Sequence, residues 1–121
     1  MRTAAKLQIK MTTVGARTGE RRLVTLYAWE DGDPDRLVLV GSDGGATRHP
    51  AWVHNLRANP RATVKRVLEV DEMVAREVTD PAERARLWEH VVEKFPQYAI
   101  YQGRTERTIP IFVLTLASTH R

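Results

Sequence analysis

The sequence predicts an α+β fold built on an antiparallel sheet or barrel, and three observations carry that expectation. Apolar residues alternate or run together over strand lengths at residues 6–14, 23–29, 37–40, 62–78 and 109–116. The connections among the first three are short and rich in Gly, Asp and Pro, the residues that tight antiparallel turns need. Segments of helical period are inserted between strands instead of alternating with each of them, so a doubly wound parallel sheet is not expected. The 121 residues, 42% hydrophobic, make one domain over 1–121, with no linker and no internal repeat. That length holds one core but not a cofactor domain plus a substrate domain, so any site lies on a single scaffold or between two copies of it.

Each element has its own warrant. Leu7, Ile9 and Met11 alternate in the first strand, and residues 23–29 and 37–40 form the next two. Gly15-Ala16-Arg17-Thr18-Gly19-Glu20 joins the first pair and Asp31-Gly32-Asp33-Pro34-Asp35 the second, giving a meander. A helix starts near Pro50 and stops at Asn59-Pro60. Residues 62–78 are rich in Val and broken by charge at 69–71, which reads as a hairpin. Asp80, Pro81 and Glu83 form an N-cap, a first-position proline and an acid three residues on, opening a helix whose Leu87, Trp88, Val91, Val92 and Phe95 make one apolar stripe. Glu83, Arg84, Glu89 and Glu93 are expected to face water or pair along that helix. Pro96 interrupts it, residues 97–102 add a short helical turn, and residues 109–116 read as a last buried strand with Pro110 at its start.

Composition removes several function classes. There is no cysteine, which excludes disulfides, thiolate zinc sites, iron–sulfur ligation and a cysteine nucleophile, and makes a cytoplasmic address the expectation. Arg2, Lys6 and Lys10 are followed by no apolar run, and no 18 uncharged apolar residues occur in succession, so neither signal peptide nor membrane contact is expected. Ser42 and Ser118 lie in no nucleophile elbow, and His49, His54, His90 and His120 have no metal-ligand spacing, so no metal is expected; His54 reads as a partly buried, hydrogen-bonded residue of the short helix. Neither a dinucleotide fingerprint nor a P-loop occurs.

The net charge of +4 is unevenly placed: residues 43–66 hold five Lys/Arg and one acid, residues 69–93 eight acids and three arginines. Within the basic half, the run from Gly41 to Pro60 joins an apolar strand to Gly44-Gly45, a Pro-started helix and cations at Arg48 and Arg57. Adjacent glycines let backbone N–H groups converge on an anion, and a helix start adds free N–H groups and the positive end of its dipole. The same residues also suit an ordinary strand-to-helix turn with solvated arginines, and both readings stay open on local pattern. Trp52 is the sole aromatic residue of 43–66 and shares a helical face with Val53 and Leu56, so no row of stacking platforms is present and no nucleic-acid partner is expected.

Four motifs in order resemble one known family: Thr12-Thr13-Val14-Gly15-Ala16-Arg17-Thr18-Gly19 with Arg22 and Leu26-Tyr27; Gly44-Gly45-Ala46 through Pro50; Trp52, Asn55-Leu56 and Ala58-Asn59-Pro60; and Arg107-Thr108-Ile109-Pro110-Ile111. Together they span residues 11–116 and resemble the deazaflavin-dependent nitroreductases, the split β-barrel flavin/deazaflavin oxidoreductases of actinobacteria. The resemblance implies a split β-barrel with inserted helices and the cofactor F420, a deazaflavin with a ribityl phosphate and an oligoglutamate tail. It implies cofactor contacts at Arg17, Thr18 and Arg22, at Ser42, Asp43, Gly44, Gly45, Ala46 and Arg48, and at Ala51, Trp52 and Asn55. Arginine's planar fork suits such oxyanions, while Arg21 is expected to face solvent. The implied reaction is hydride transfer from reduced F420 to a quinone, enone or nitroaromatic acceptor, with Tyr98, Tyr101, Ser42 and Tyr27 around the ring and acceptor as sources of the proton.

The chain departs from relatives at several of these positions. Asp43 stands where a relative presents lysine to the cofactor, Ala16, Val24 and Thr25 replace an arginine, an asparagine and a proline, and Phe95 stands where a relative has tyrosine. The sequence shows no counterpart of the N-terminal helix of many relatives, and a more open acceptor side is the expectation. These changes keep open a non-catalytic F420 or fatty-acid binding protein on the same fold, and an FMN-dependent relative is a third reading. Pairing of two barrels into a homodimer is compatible with the length.

Overall fold

A computed structural model describes residues 6–117. The first five residues, including Arg2, and the tail with Ser118 and His120 lie outside the described residues. Six strands, β1 (Lys6–Val14), β2 (Arg21–Glu30), β3 (Arg36–Val40), β4 (Arg61–Lys65), β5 (Val70–Glu77) and β6 (Ile111–Leu116), close into a barrel in the order β1-β2-β3-β6-β5-β4, every neighbouring pair antiparallel. Three helices are inserted: α1 (Ala51–Ala58), α2 (Pro81–Lys94) and α3 (Gln97–Gly103). The expected split-barrel class and each expected strand and helix are present, with ends shifted by one or two residues.

Two packed layers explain the sequence patterns. Inside the barrel, Ile9, Met11, Leu37, Leu39, Val64, Met73, Phe112 and Leu114 meet Trp52, Val53 and Leu56 of α1, which plugs one end. On the outside of β2, β3 and β6 a second cluster joins Trp29, Val38, Val40, Ile111 and Val113 to Leu87 and Val91 of α2 and Tyr98 of α3. β3 and β6 are therefore covered on both faces, which is why they read as unbroken apolar runs, whereas β1 and β4, wet on one face, alternate. Full burial of each aliphatic side chain here contributes roughly 1.5–3 kcal/mol before entropy is counted.

Helix ends follow the sequence signals. Asp80 accepts from the Glu83 N–H at 2.9 Å and Pro81 opens α2. The Glu83 carboxylate does not pair along the helix, however: both its oxygens take the Arg76 guanidinium of β5, each at 2.9 Å, so α2 is tied to the barrel wall. Gly41 sits where β3 leaves the barrel; a Cβ there would lie 2.8 Å from Val53 Cγ2 and 3.0 Å from Pro110 Cγ, so only glycine lets α1 and the start of β6 close on this point. No helix among the described residues is long and apolar enough to cross a membrane.

Candidate active site

The turn between β1 and β2 folds on itself: the Gly15 N–H donates to Glu20 O at 2.7 Å, the Gly19 N–H to Gly15 O at 2.9 Å, and Gly19 takes a left-handed φ of 74°. This presents Arg17 and Thr18 outward. Asn55 of α1 anchors the turn, accepting from the Ala16 N–H at 2.9 Å and donating to Thr13 Oγ1 at 3.0 Å, with Asn55 and Thr13 both buried. Between this turn and α1 runs an open groove of about 870 Å³. Arg17, Arg22 and Arg48 line it, together with Thr18, Ala51 and Trp52, and no carboxylate belongs to its wall. The first turn of α1, which holds no acid, opens on the same groove through Pro50 and Ala51. Three cations and a helix N-terminus facing one acid-free groove form an anion site.

A second cavity of about 380 Å³ adjoins it and shares Val24, Pro50 and Trp52 with the groove. Its wall is aromatic: Tyr27, Phe95, Tyr98 and Tyr101 with Trp52, plus Ser42 and Asp43. Trp52 is held edge-on against Phe112, ring centres 5.7 Å apart. The Tyr98 hydroxyl accepts from Trp29 Nε1–H at 2.8 Å, and burial raises its pKa above the ordinary tyrosine value, so it stays protonated with its own O–H available to donate. Tyr98 stacks edge-to-face on Phe95 at 4.8 Å. The Lys6 ammonium lies 4.5 Å from the centre of the half-exposed Tyr27 ring.

The turn after β3 departs from expectation. Asp43, Gly44 and Gly45 have φ of 43°, 64° and 84°, a run of left-handed residues for which two glycines are suited. But the Gly45 N–H donates to Ser42 O at 2.8 Å and the Ala46 N–H to Asp43 O at 3.1 Å, so these two groups are not free for an anion. Gly45 is buried beneath α3, where a Cβ would lie 2.6 Å from Tyr101 O. The glycine pair thus seats α3 over the turn, and Gly44, Gly45 and Ala46 line neither cavity. Two further expectations are corrected. Arg57 does not face the groove: its Nε and an Nη hold both Glu77 oxygens at 2.8 Å, joining α1 to β5. His54 is exposed on the groove wall and not partly buried. Arg21 is exposed, as expected; Arg22, also exposed, lies 3.4 Å from Glu20.

Sequence reasoning assigned no role to the residue that organises this turn. Arg107 donates through Nε to Ala46 O at 2.8 Å, through one Nη to Gly41 O at 3.0 Å and His49 Nδ1 at 2.8 Å, and through the other Nη to Ser42 O at 2.8 Å. It lies in the quoted Arg107-Thr108-Ile109-Pro110 motif, but acceptors 58 to 66 residues away leave no local signal. Trp29, which orients Tyr98 across 69 residues, escaped for the same reason.

The sequence matches the F420H(2)-dependent quinone reductase family over residues 2–116, nearly its full length. The chain belongs to this family. It is therefore an oxidoreductase, with F420 as its cofactor and quinone reduction as its activity. Among similar proteins, an F420H(2)-dependent quinone reductase of Mycobacterium tuberculosis is 41% identical over 106 residues, covering 85% of this chain and 69% of the relative. A solved F420-H2 dependent reductase (FDR-A) superposes with a TM-score of 0.76 at 37% identity, covering 88% of this chain and 92% of that one. A second solved chain, described as a domain-swapped dimer, gives a TM-score of 0.77 at 37% identity, covering 88% and 78%. The observed groove fits this cofactor: its acid-free wall matches a phosphate and oligoglutamate tail, and the adjoining aromatic cavity matches a flat ring.

Proposed function

We propose that the basic groove binds the phosphate and oligoglutamate tail of F420, and that the aromatic cavity takes the deazaflavin ring together with a quinone, an enone or a nitroaromatic acceptor. The observation that carries this reading is the shared Trp52 wall, across which one elongated ligand reaches from an acid-free cationic groove to a tyrosine-lined cavity. Arg17, Arg22 and Arg48 compensate the tail's charge, bidentately where geometry allows, with Thr18 and the N–H groups at Ala51 as further donors. Asn55 acts at one remove by holding the Ala16–Thr18 turn in place. Trp52, fixed by Phe112, supplies a flat surface and excludes water from one side of the ring.

When bound, reduced F420 supplies a hydride from its C5 carbon. An acceptor that gains a hydride needs one proton on oxygen or nitrogen, and Tyr98 meets that need: Trp29 fixes its oxygen lone pair, and burial keeps its hydroxyl protonated. Tyr101, Ser42 and Tyr27 on the same wall are secondary donors that orient the acceptor. Positioning and proton supply are the protein's contribution. A cytoplasmic location and a homodimer belong to this reading; the cysteine-free sequence supports the first and the swapped dimer of the similar solved chain supports the second.

Titration of the protein with oxidised F420, followed by quenching of cofactor fluorescence, and then oxidation of reduced F420 by menadione test the reading together. Micromolar binding with quinone-dependent oxidation is the expected result. Tyr98→Phe should leave the Kd within about twofold and lower turnover about a hundredfold, the low end of general-acid contributions. Binding without oxidation of reduced F420 would favour a carrier, and absence of binding would overturn the assignment of the groove.

A further inference from the structure

We propose that His49 is a positioning residue of the F420 site, whose neutral ring accepts from Arg107 and so completes the clamp that holds the Gly41–Ala46 turn between the two cavities. The inference rests on the reading that F420 occupies those cavities. The geometry is one-directional. An arginine only donates, so the 2.8 Å contact requires a lone pair on His49 Nδ1 and places the ring proton on Nε2. The same guanidinium nitrogen also reaches Gly41 O, and the remaining nitrogens hold Ser42 O and Ala46 O. Ser42 and Asp43 of this turn line the aromatic cavity, and Arg48, beside His49, lines the groove. The position of both cavity walls therefore follows from one guanidinium, and His49 is its single titratable acceptor among the described residues.

Protonation of His49 replaces an accepted hydrogen bond by an N–H facing a cation at the same distance. The charged groups around the ring reinforce the conflict: burial first, then Arg107, Arg57 and His54 disfavour its charged form, and Glu77 of β5 alone favours it. Burial lowers the Arg107 pKa below its ordinary value, and Asp43, from the turn itself, offsets part of that by favouring the charged guanidinium. His49 is thus neutral at pH 7, and the clamp opens as the pH falls below its depressed pKa, which lies under the ordinary 6.5. Cofactor affinity should fall with it, by up to about tenfold per pH unit, the limit for a single proton.

The test is calorimetric titration of F420 into wild type, His49→Asn and His49→Ala between pH 5 and 8. Asparagine places a carbonyl oxygen near the position of Nδ1 and cannot be protonated, so His49→Asn should bind as wild type does at pH 8 and outbind it by a factor that grows as the pH falls toward 5, up to about tenfold per pH unit. His49→Ala should bind about tenfold more weakly than His49→Asn at every pH. Titration of F420 itself is common to all three proteins and cancels in the ratios. Linkage supplies a readout independent of turnover: F420 should lower the His49 pKa measured by NMR, whereas a bystander beside a polyanion would show a raised one. Equal pH profiles for wild type and His49→Asn, or a raised His49 pKa on binding, would overturn the proposal. Failure of wild type to bind F420 at pH 8 would instead overturn the assignment of the site.

Discussion

At the scale of single residues, Asp43 is the chain's clearest conflict with an anionic cofactor. It lines the cavity proposed to receive the ring and holds a left-handed φ of 43°, while the three cations line the adjoining groove. Asparagine tolerates left-handed backbone as well as aspartate does, so Asp43→Asn removes the charge and keeps the turn. A like charge a few ångströms away in a wet site costs about 1 kcal/mol, so F420 should bind about fivefold more tightly to Asp43→Asn, measured by fluorescence quenching at low ionic strength. Weaker binding would instead assign Asp43 to holding Arg107, the guanidinium whose charge it supports. The sequence exposes Asp43 as unusual because a carboxylate stands in a row of glycines and cations. It conceals Arg107, whose function exists only after β3 and β6 pair and bring position 107 to the turn at 41–46.

Between elements, the site is made by the way α1 is pinned to the β1–β2 turn. Asn55 is buried, and its amide is satisfied on both sides, accepting from Ala16 N–H and donating to Thr13 Oγ1. Asn55→Ala leaves the Ala16 N–H without its partner and the Thr13 hydroxyl without a donor. Each unsatisfied buried group costs about 1–3 kcal/mol, so the melting temperature should fall by about 5 °C or more. F420 affinity should fall more than tenfold as Arg17 and Thr18 lose their anchor, which thermal melts and the F420 titration would both record; an unchanged affinity beside a lowered melting temperature would confine Asn55 to stability. Elements of this kind were legible in part. Strand lengths, the two-sided burial of β3 and β6, the α2 cap and the short α3 all follow from period, Pro and Asp placement, because those signals act within a few residues. At the turn at 42–46 the local pattern leaves two readings open because adjacent glycines serve a close approach as well as an anion, and the position of Tyr101 O explains Gly45 by the first. His54 was misread because the groove on its side of α1 does not exist until the β1–β2 turn has folded over.

Across the whole molecule, the uneven charge of the sequence becomes a set of ties between distant segments. Three acids of the stretch after residue 69 tie segments together while Glu89 and Glu93 stay exposed: Glu77 holds Arg57 of α1, Glu83 holds Arg76 of β5, and Asp71 holds Arg66 across the β4–β5 turn at 2.8 Å. Asp31, at the end of β2, takes Arg86 of α2. Arg17 and Arg48 are left on the groove wall, so pairing inside the fold sorts the cations into structural and ligand-facing groups. The same pairing fixes the response to acid. Hydrogen bonds from Arg57, Arg76 and Arg86 hold the carboxyls of Glu77, Glu83 and Asp31, respectively, below their ordinary values of 4.5, 4.5 and 3.8. Groups depressed in the folded state add stability that is complete above those ordinary values and is lost as pH falls through the depressed ones. His49, also depressed but from 6.5, adds a separate loss that begins below 6.5 because the unfolded chain takes up its proton first. Thermal stability should therefore decline in two stages on acidification, a shallow one below about 6.5 and a steeper one below about 4.5, the ordinary values of the two classes of group. Circular dichroism melts between pH 3 and 8 would resolve them. The shallow stage should disappear in His49→Asn, and the steep stage should weaken in Glu77→Gln because α1 then loses a tie whose strength depends on an ionised partner. A single-stage decline unchanged in both variants would mean that these ties contribute little beyond the close-packed apolar layers on either side of β3 and β6.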